Sequence, residues 1–280
     1  MRVLCQTVVR NEASRYWASW LHWHVGIFGK ECVHVFDDNS TDDTAQMAVD
    51  AGVTVTARGG APAFLEHEGR FRQRAWNAME ALLQPEPGDW VFCVDSDEFL
   101  LSRDDEQADL YRACEWANHQ QRGVYTVSIP EVFHSEVTED GKLVDLAVRT
   151  DGWWGQIAGT RLFAWQRSGI FADKPMASGS EPTYVPLAAR TTLQGMWLLH
   201  LGYAQSDDRK AKYLRYTVSP GGHANTHIQS ILSEPTLVPW DGPLIDLYLG
   251  ARPVVGPEVA HHPAETDDEA AYYRSLTDSA

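Results

Sequence analysis

Asp95, Asp97 and Glu98 fall within one short stretch, directly after the apolar run Trp90-Val91-Phe92-Cys93-Val94. Carboxylates this close repel one another unless a cation lies between them. Hard divalent cations such as Mg2+ and Mn2+ take oxygen ligands and keep coordination positions open for a substrate phosphate. Two acids separated by one residue point to opposite faces of an extended strand. A turn that starts at Asp95 instead brings Asp95 and Asp97 to one ion. An ordinary acidic turn is the plain alternative, and the buried strand in front of it favours a site.

Two further polar clusters follow apolar runs. Arg10, Asn11 and Glu12 come after "RVLCQTVV", and Asp37, Asp38 and Asn39 come after "CVHVF". Ligands of open parallel sheets bind outside the carboxyl ends of the strands, so clusters at several such ends imply one polar pocket. A calcium loop starting at Asp37 is excluded. Such a loop needs Gly at its sixth place and Glu at its twelfth, and these places hold Asp42 and Ala48. Acids at a strand end beside a short helix suit contact with a ribose or base, while Ser40 or Thr41 caps that helix.

The elements that would position these clusters alternate. Strand patterns at 2–9, 32–36, 53–57 and 90–95 are separated by helical patterns at 14–29, 40–52 and 64–83. Gly29 and Gly52 end the first two helices, and "PEPGD" ends the third. Alternation with short joins predicts an α/β domain around a parallel sheet. Beyond residue 100 a helix is expected at 104–119 and strands at 123–133 and 192–203. Residues 172–190 read as a loop and 206–218 as a charged helix.

With 39 acidic and 23 basic residues the net charge is −16, which disfavours a broad duplex-DNA surface. A chain with 44% hydrophobic residues can bury a large core. Cys5, Cys32, Cys93 and Cys114 form no Cys-x-x-Cys pair, which suits reduced core thiols in a reducing compartment. No segment reaches the roughly eighteen apolar residues of a membrane span, and "MRVLCQTVVRNE" does not read as a signal peptide. A cytoplasmic protein is expected.

Taken in order, "VVRNEASRYWASWLHWHVGIFGKECVHVFDDNSTDDT", "RFRQRAWNAM" and "GDWVFCVDSDEFL" resemble a family-2-type glycosyltransferase, in the branch with the pattern RNE…DD-x-STD…D-x-DEF. The likeness is dense over residues 3–101, with a looser echo in "DKP" (173–175) and "LLHLGYAQSDDRKAKYLRY" (198–216). The resemblance implies a GT-A fold, Rossmann-like, with a mostly parallel sheet flanked by helices and an irregular acceptor side. Residues 1–218 would form the glycosyltransferase domain, with a nucleotide-sugar half (1–101) and an acceptor half (102–218). Residues 219–280 would be a C-terminal extension with a partly disordered tail.

The same resemblance implies a nucleotide-sugar donor, UDP-linked, and inversion at the anomeric carbon. Asn11 and Glu12 would line the nucleotide pocket, Asp37 or Asp38 would contact base or ribose, and Arg70, Gln73 and Arg74 would face the diphosphate. Asp95 would hold the donor and, with Asp97 and His200, the Mn2+ or Mg2+. Glu98 would support that site from behind. Arg209, Lys210 and Lys212 would reach phosphates or form a solvated face. Asp151 and Glu131 are the candidate bases for an acceptor hydroxyl, with Glu98 as another candidate, and Trp153 and Trp154 could stack on a sugar. The acceptor could be glycan, lipid, protein, small metabolite or modified DNA base.

Three rival readings differ in kind. A haloacid-dehalogenase-like phosphohydrolase also sets Asp-x-Asp after an apolar strand. That motif, however, usually has Thr or Val two residues after its second Asp, where Phe99 stands here. A non-catalytic nucleotide- or sugar-binding module would keep the fold without needing both Asp95 and Asp97. A nucleotidyltransferase on a similar sheet would call for an early Gly-rich phosphate loop, which the chain lacks.

Overall fold

The computed structural model describes residues 1–58, 68–151, 158–165, 190–209, 234–243 and 245–250, with backbone alone at 68–70 and 190. The first half alternates as the sequence predicts: β1 (Val3–Val9), α1 (Trp17–Phe28), β2 (Val33–Asp37), α2 (Thr44–Asp50), β3 (Thr54–Ala57), α3 (Glu68–Leu83) and β4 (Trp90–Cys93). After β4 come β5 (Glu98–Ser102), α4 (Glu106–His119), β6 (Val124–Ser128), β7 (Val132–Val137), β8 (Leu143–Arg149), β9 (Ala158–Ala164), β10 (Arg190–His200) and β11 (Leu237–Pro239).

The large sheet has the order β3-β2-β1-β4-β9-β6-β10-β5. β3, β2, β1 and β4 are mutually parallel. β9 is antiparallel to both β4 and β6, so β6 runs in the same direction as β4. β10 is parallel to β6, and β5 is antiparallel to β10. This is an α/β architecture built on a large, mostly parallel sheet flanked by helices. The central strands are buried on both faces, which is why β4 reads as a continuous apolar run and β1 departs from one only at Gln6 and Thr7.

Two expected elements divide. The acidic stretch does not simply end a strand, because the chain turns at Asp95 and starts β5 at Glu98. The expected strand over 123–133 breaks into β6 and β7, with Pro130 between them, a residue that cannot donate to a ladder. β7 then joins a separate three-stranded sheet, β11-β8-β7. Residues 237–239 of the C-terminal region complete that sheet, and Gly250 N–H donates to Arg15 O.

Helix α1 buries Trp17, Trp20, Leu21, His24, Ile27 and Phe28, a stripe at helical spacing. Gly29, at φ 79°, stops it in a backbone region that costs other residues more. The same helix holds the rim together through its indoles. Trp17 Nε1 donates to Thr44 O at the start of α2, Trp20 Nε1 to Asp95 O, and Trp23 Nε1 to Leu100 O in β5. Helix α3 packs across β1, β2 and β3, with Phe71 meeting Phe36 edge to face at 5.3 Å. Among the described residues no helix is long and apolar enough to cross a membrane.

Candidate functional site

The parallel strands deliver their ends to one rim. β1 leads to Arg10-Asn11-Glu12, β2 ends on Asp37, and β4 leads to the Asp95 turn. β10 runs in the same direction and ends on His200, while Glu131 follows the parallel strand β6. His200 therefore reaches the acidic turn from far along the chain. It pairs with Glu98 in the β5–β10 ladder, and Leu201 N–H donates to Asp97 O at 2.8 Å.

The two acids of the Asp-x-Asp motif face different partners. Asp97, 7% exposed, has its Oδ1 at 3.3 Å from His200 Nε2. The other ring nitrogen, Nδ1, lies 2.5 Å from Oε2 of Glu131, itself 5% exposed. Asp95, with 39% of its side chain exposed, faces Arg72 Nη2 at 3.2 Å. Its backbone is pinned, since Asp95 N–H donates to Glu98 Oε2 and Asp95 O accepts from Glu98 N–H and Trp20 Nε1. Desolvation raises the Asp95 carboxyl, but the guanidinium groups of Arg72 and Arg161 outweigh it and hold the group below the usual carboxylate range.

Glu98 is buried against Arg161 of β9 in a two-pronged pair, at 3.2 Å from Nε and 2.7 Å from Nη2. The turn thus has a second guanidinium behind it. Burial works against the Arg161 charge, but Glu98 and Asp95 more than offset that and raise its pKa. Arg72 and Arg161 together set two guanidinium groups against the three carboxylates of the turn, Asp95, Asp97 and Glu98.

The β1 and β2 rims are laced to each other. Asn11, at φ 54°, accepts from Thr41 N–H at 2.8 Å, and its own N–H donates to Ser40 Oγ. Asp37 accepts from Ser40 N–H, forming a turn over its own strand end. Ser40 and Thr41 thus serve the rim, while Asp42 accepts from Thr44 N–H at the start of α2. Asp38, 2% exposed, meets Arg58 Nε at 2.5 Å. Burial still raises its pKa in spite of that partner. Glu12 meets Arg15 at 3.2 Å, and Arg15 meets Asp208 at 3.2 Å. Asp208 also accepts from Tyr16 OH, which ties the late "QSDDR" stretch to the first rim.

The remaining expected residues are spread out. On α3, Arg74 is exposed and Gln73 donates to Asn77 Oδ1, while the Arg70 side chain lies outside the described residues. Arg72 was missed, although it neighbours the buried face formed by Phe71, Ala75, Trp76 and Met79. Helical spacing alone could have singled it out as the arginine flanking that face. Arg161 carried a weaker signal, a lone cation inside the apolar "RLFAW". Asp151 pairs two-pronged with Arg149 and accepts from Thr236 N–H, and the Arg149 contact lowers its pKa to about 2. That is the setting of an ion-pair anchor. Trp153, Trp154, the "DKP" stretch, Lys210 and Lys212 lie outside the described residues. Arg209 donates to Phe133 O and Tyr203 O.

Among the described residues no group of three or more His, Cys, Asp and Glu side chains is arranged to hold a metal. Of the donors that do converge, the carboxylate oxygen suits either Mn2+ or Mg2+, whereas the imidazole nitrogen favours Mn2+ over Mg2+, whose ligands are oxygens. Mg2+ is commonly held by one or two carboxylates plus substrate phosphates and waters, without a full protein cage. Two donors on this rim therefore fit the ion when a phosphate completes its shell. A cavity of about 450 Å³ lies elsewhere, between Arg103, Trp116, Tyr125 and the first half of β10. It has no convergent donors of this kind.

No family model matches the sequence, and no curated protein matches it. Among solved structures, residues 1–349 of TarS from S. aureus are 13% identical, over 83% of this chain and 71% of that one, with a TM-score of 0.45. The longer TarS structure is 17% identical over 83% of this chain and 42% of its own, with a TM-score of 0.46. Glucosyl-3-phosphoglycerate synthase from Mycobacterium tuberculosis, in complex with Mg2+ and uridine diphosphate, is 18% identical. That match covers 46% of this chain and 43% of the synthase, with a TM-score of 0.29.

Proposed function

We propose that the chain is a glycosyltransferase that takes a nucleotide-diphosphate sugar, UDP-linked, and passes the sugar to a hydroxyl acceptor with inversion. It would hold Mn2+ or Mg2+ at Asp97 and His200. One observation carries the reading: Asp97 Oδ1 and His200 Nε2 stand 3.3 Å apart on the rim where the parallel strands end. Two ligands bound at about 2.1 Å to one ion, at a right angle, stand roughly 3 Å apart. An imidazole nitrogen that carries no proton would repel the facing carboxylate unless a cation lay between them.

The ion's contribution, when bound, would be to neutralise the charge that develops on a leaving diphosphate. The chain's own residues support this from around it. Arg72 and Arg161 set two guanidinium groups beside Asp95, where a diphosphate would be attracted and oriented. Asp95 is exposed enough to turn from Arg72 toward the incoming donor. Asn11, Glu12, Asp37 and Asp38 form the laced wall at the β1 and β2 ends, on which a base and ribose would rest.

The test is release of UDP from a panel of UDP-sugars, with Mn2+ and with a chelator. The expected result is Mn2+-dependent release that is lost in Asp97→Ala and His200→Ala. Release of phosphate from a generic phosphoester, with no turnover of any sugar nucleotide, would contradict the reading.

A further inference from the structure

Glu131, His200 and Asp97 form a line. The imidazole lies between two buried carboxylates, at 2.5 Å from Glu131 through Nδ1 and 3.3 Å from Asp97 through Nε2. The backbone fixes both ends of this line. His200 N–H donates to Pro130 O, Glu131 O accepts from Arg149 N–H, and Leu201 N–H donates to Asp97 O. The ring is also packed. Tyr203 meets it edge-on at 5.7 Å, and Tyr203 in turn stacks on Phe133 at 5.1 Å. A shift of Glu131 would therefore turn the ring without moving the strand that carries it.

Glu131 is only 5% exposed, so an acceptor hydroxyl has little route to its carboxylate. Its contact is with the nitrogen that points away from Asp97. A metal-binding histidine commonly donates its other N–H to a carboxylate, which fixes the tautomer and strengthens the ligating nitrogen.

We propose that Glu131 is a positioning residue: it accepts the Nδ1 proton of His200, leaves Nε2 unprotonated, and aims that nitrogen at a divalent cation shared with Asp97. This rests on the divalent-cation reading of Asp97 and His200 given above. Glu131 touches neither the ion nor the donor.

Titration of Mn2+ into the full chain at a fixed concentration of UDP, with free ion read by electron paramagnetic resonance against a UDP-only blank, tests it. Wild type should bind one Mn2+ that Asp97→Asn and His200→Ala abolish. Glu131→Met, which cannot accept the proton, should bind about tenfold to a hundredfold more weakly. Glu131→Asp retracts the carboxylate while keeping its charge, and should lose about tenfold; it serves if the Met variant does not fold. Glu131→Gln, whose amide oxygen can still accept, should recover most of the affinity. A merely structural role would lower the melting temperature of these variants and leave Mn2+ affinity unchanged. Mn2+ binding equal to wild type in folded Glu131→Met or Glu131→Asp would overturn the positioning role while leaving the cation reading intact. Absence of Mn2+ binding in wild type would overturn both.

Discussion

Arg72 Nη2 lies 3.2 Å from Asp95 Oδ1, so the first acid of the Asp-Ser-Asp turn faces a guanidinium while the second faces an imidazole. The motif is therefore split between two kinds of partner. On the proposed reading, an arriving diphosphate would meet the Arg72 guanidinium on one side and the Asp97–His200 pair on the other.

Arg72→Leu should weaken UDP binding by about tenfold or more, the usual scale of a charge-assisted hydrogen bond. Stability should change little, because the Asp95 side chain is 39% exposed and solvent screens the pair. Calorimetric titration with UDP and Mn2+, beside a urea melt, checks both halves. Unchanged UDP affinity would remove Arg72 from the donor site.

Glu98 and Arg161 make the opposite case. Glu98 is 2% exposed and accepts from both Arg161 and Asp95 N–H. Glu98→Ala strands a buried guanidinium and frees the Asp95 turn, at a cost of about 3 kcal/mol. Urea denaturation should show that loss, and Mn2+ affinity should fall with it. A stability change below 1 kcal/mol would mean that the pair behaves like a surface ion pair.

The first half of the fold was legible in the sequence because its central strands β1, β2 and β4 are buried on both faces and its helices carry clear stripes. Trp17, Leu21, His24 and Phe28 marked α1, and the apolar run before Asp95 marked β4. The rim clusters were legible because polar residues interrupt such runs abruptly. The partners of those clusters were not. Arg70, Arg72 and Arg74 are all arginines on one helix, and only the helix rotation separates them. Arg161 sits on a strand inserted antiparallel beside β4, a pairing that no local pattern announces. The contact between His200 and Glu131 depends on β10 lying beside β6 and the chain breaking at Pro130. Such long-range geometry leaves no periodic trace.

His24 and His34 should make the fold acid-sensitive. Both are fully buried, and among the described residues His24 Nε2 and His34 Nδ1 have no hydrogen-bond partner. Burial lowers His24 from the ordinary 6.5 to about 3 and His34 to about 4. The unfolded chain takes up these protons below pH 6.5 while the folded chain refuses them. Stability is therefore full above pH 6.5 and is lost as pH falls toward 4 and then 3. For His24 alone the loss across that window is on the order of 4 kcal/mol. His24→Phe should flatten the fall measured by urea melts between pH 7 and pH 4. An unchanged slope would place the acid sensitivity elsewhere.

Trp20→Phe keeps most of the α1 packing and removes one hydrogen bond to Asp95 O. Glu98 N–H still donates to that oxygen, so nothing is left unpaired and the cost is about 1 kcal/mol. The turn should loosen nonetheless, and Mn2+ affinity should drop more than stability does. Equal affinity in wild type and Trp20→Phe would show that β5 alone holds the turn.

The most direct test is an anomalous-scattering map at the manganese edge, from crystals of the protein soaked with UDP and Mn2+. A peak is expected about 2.1 Å from both Asp97 Oδ1 and His200 Nε2, with the diphosphate of UDP beside Arg72. Density for UDP on this rim with no manganese between Asp97 and His200 would contradict it, as would a manganese peak at any other site.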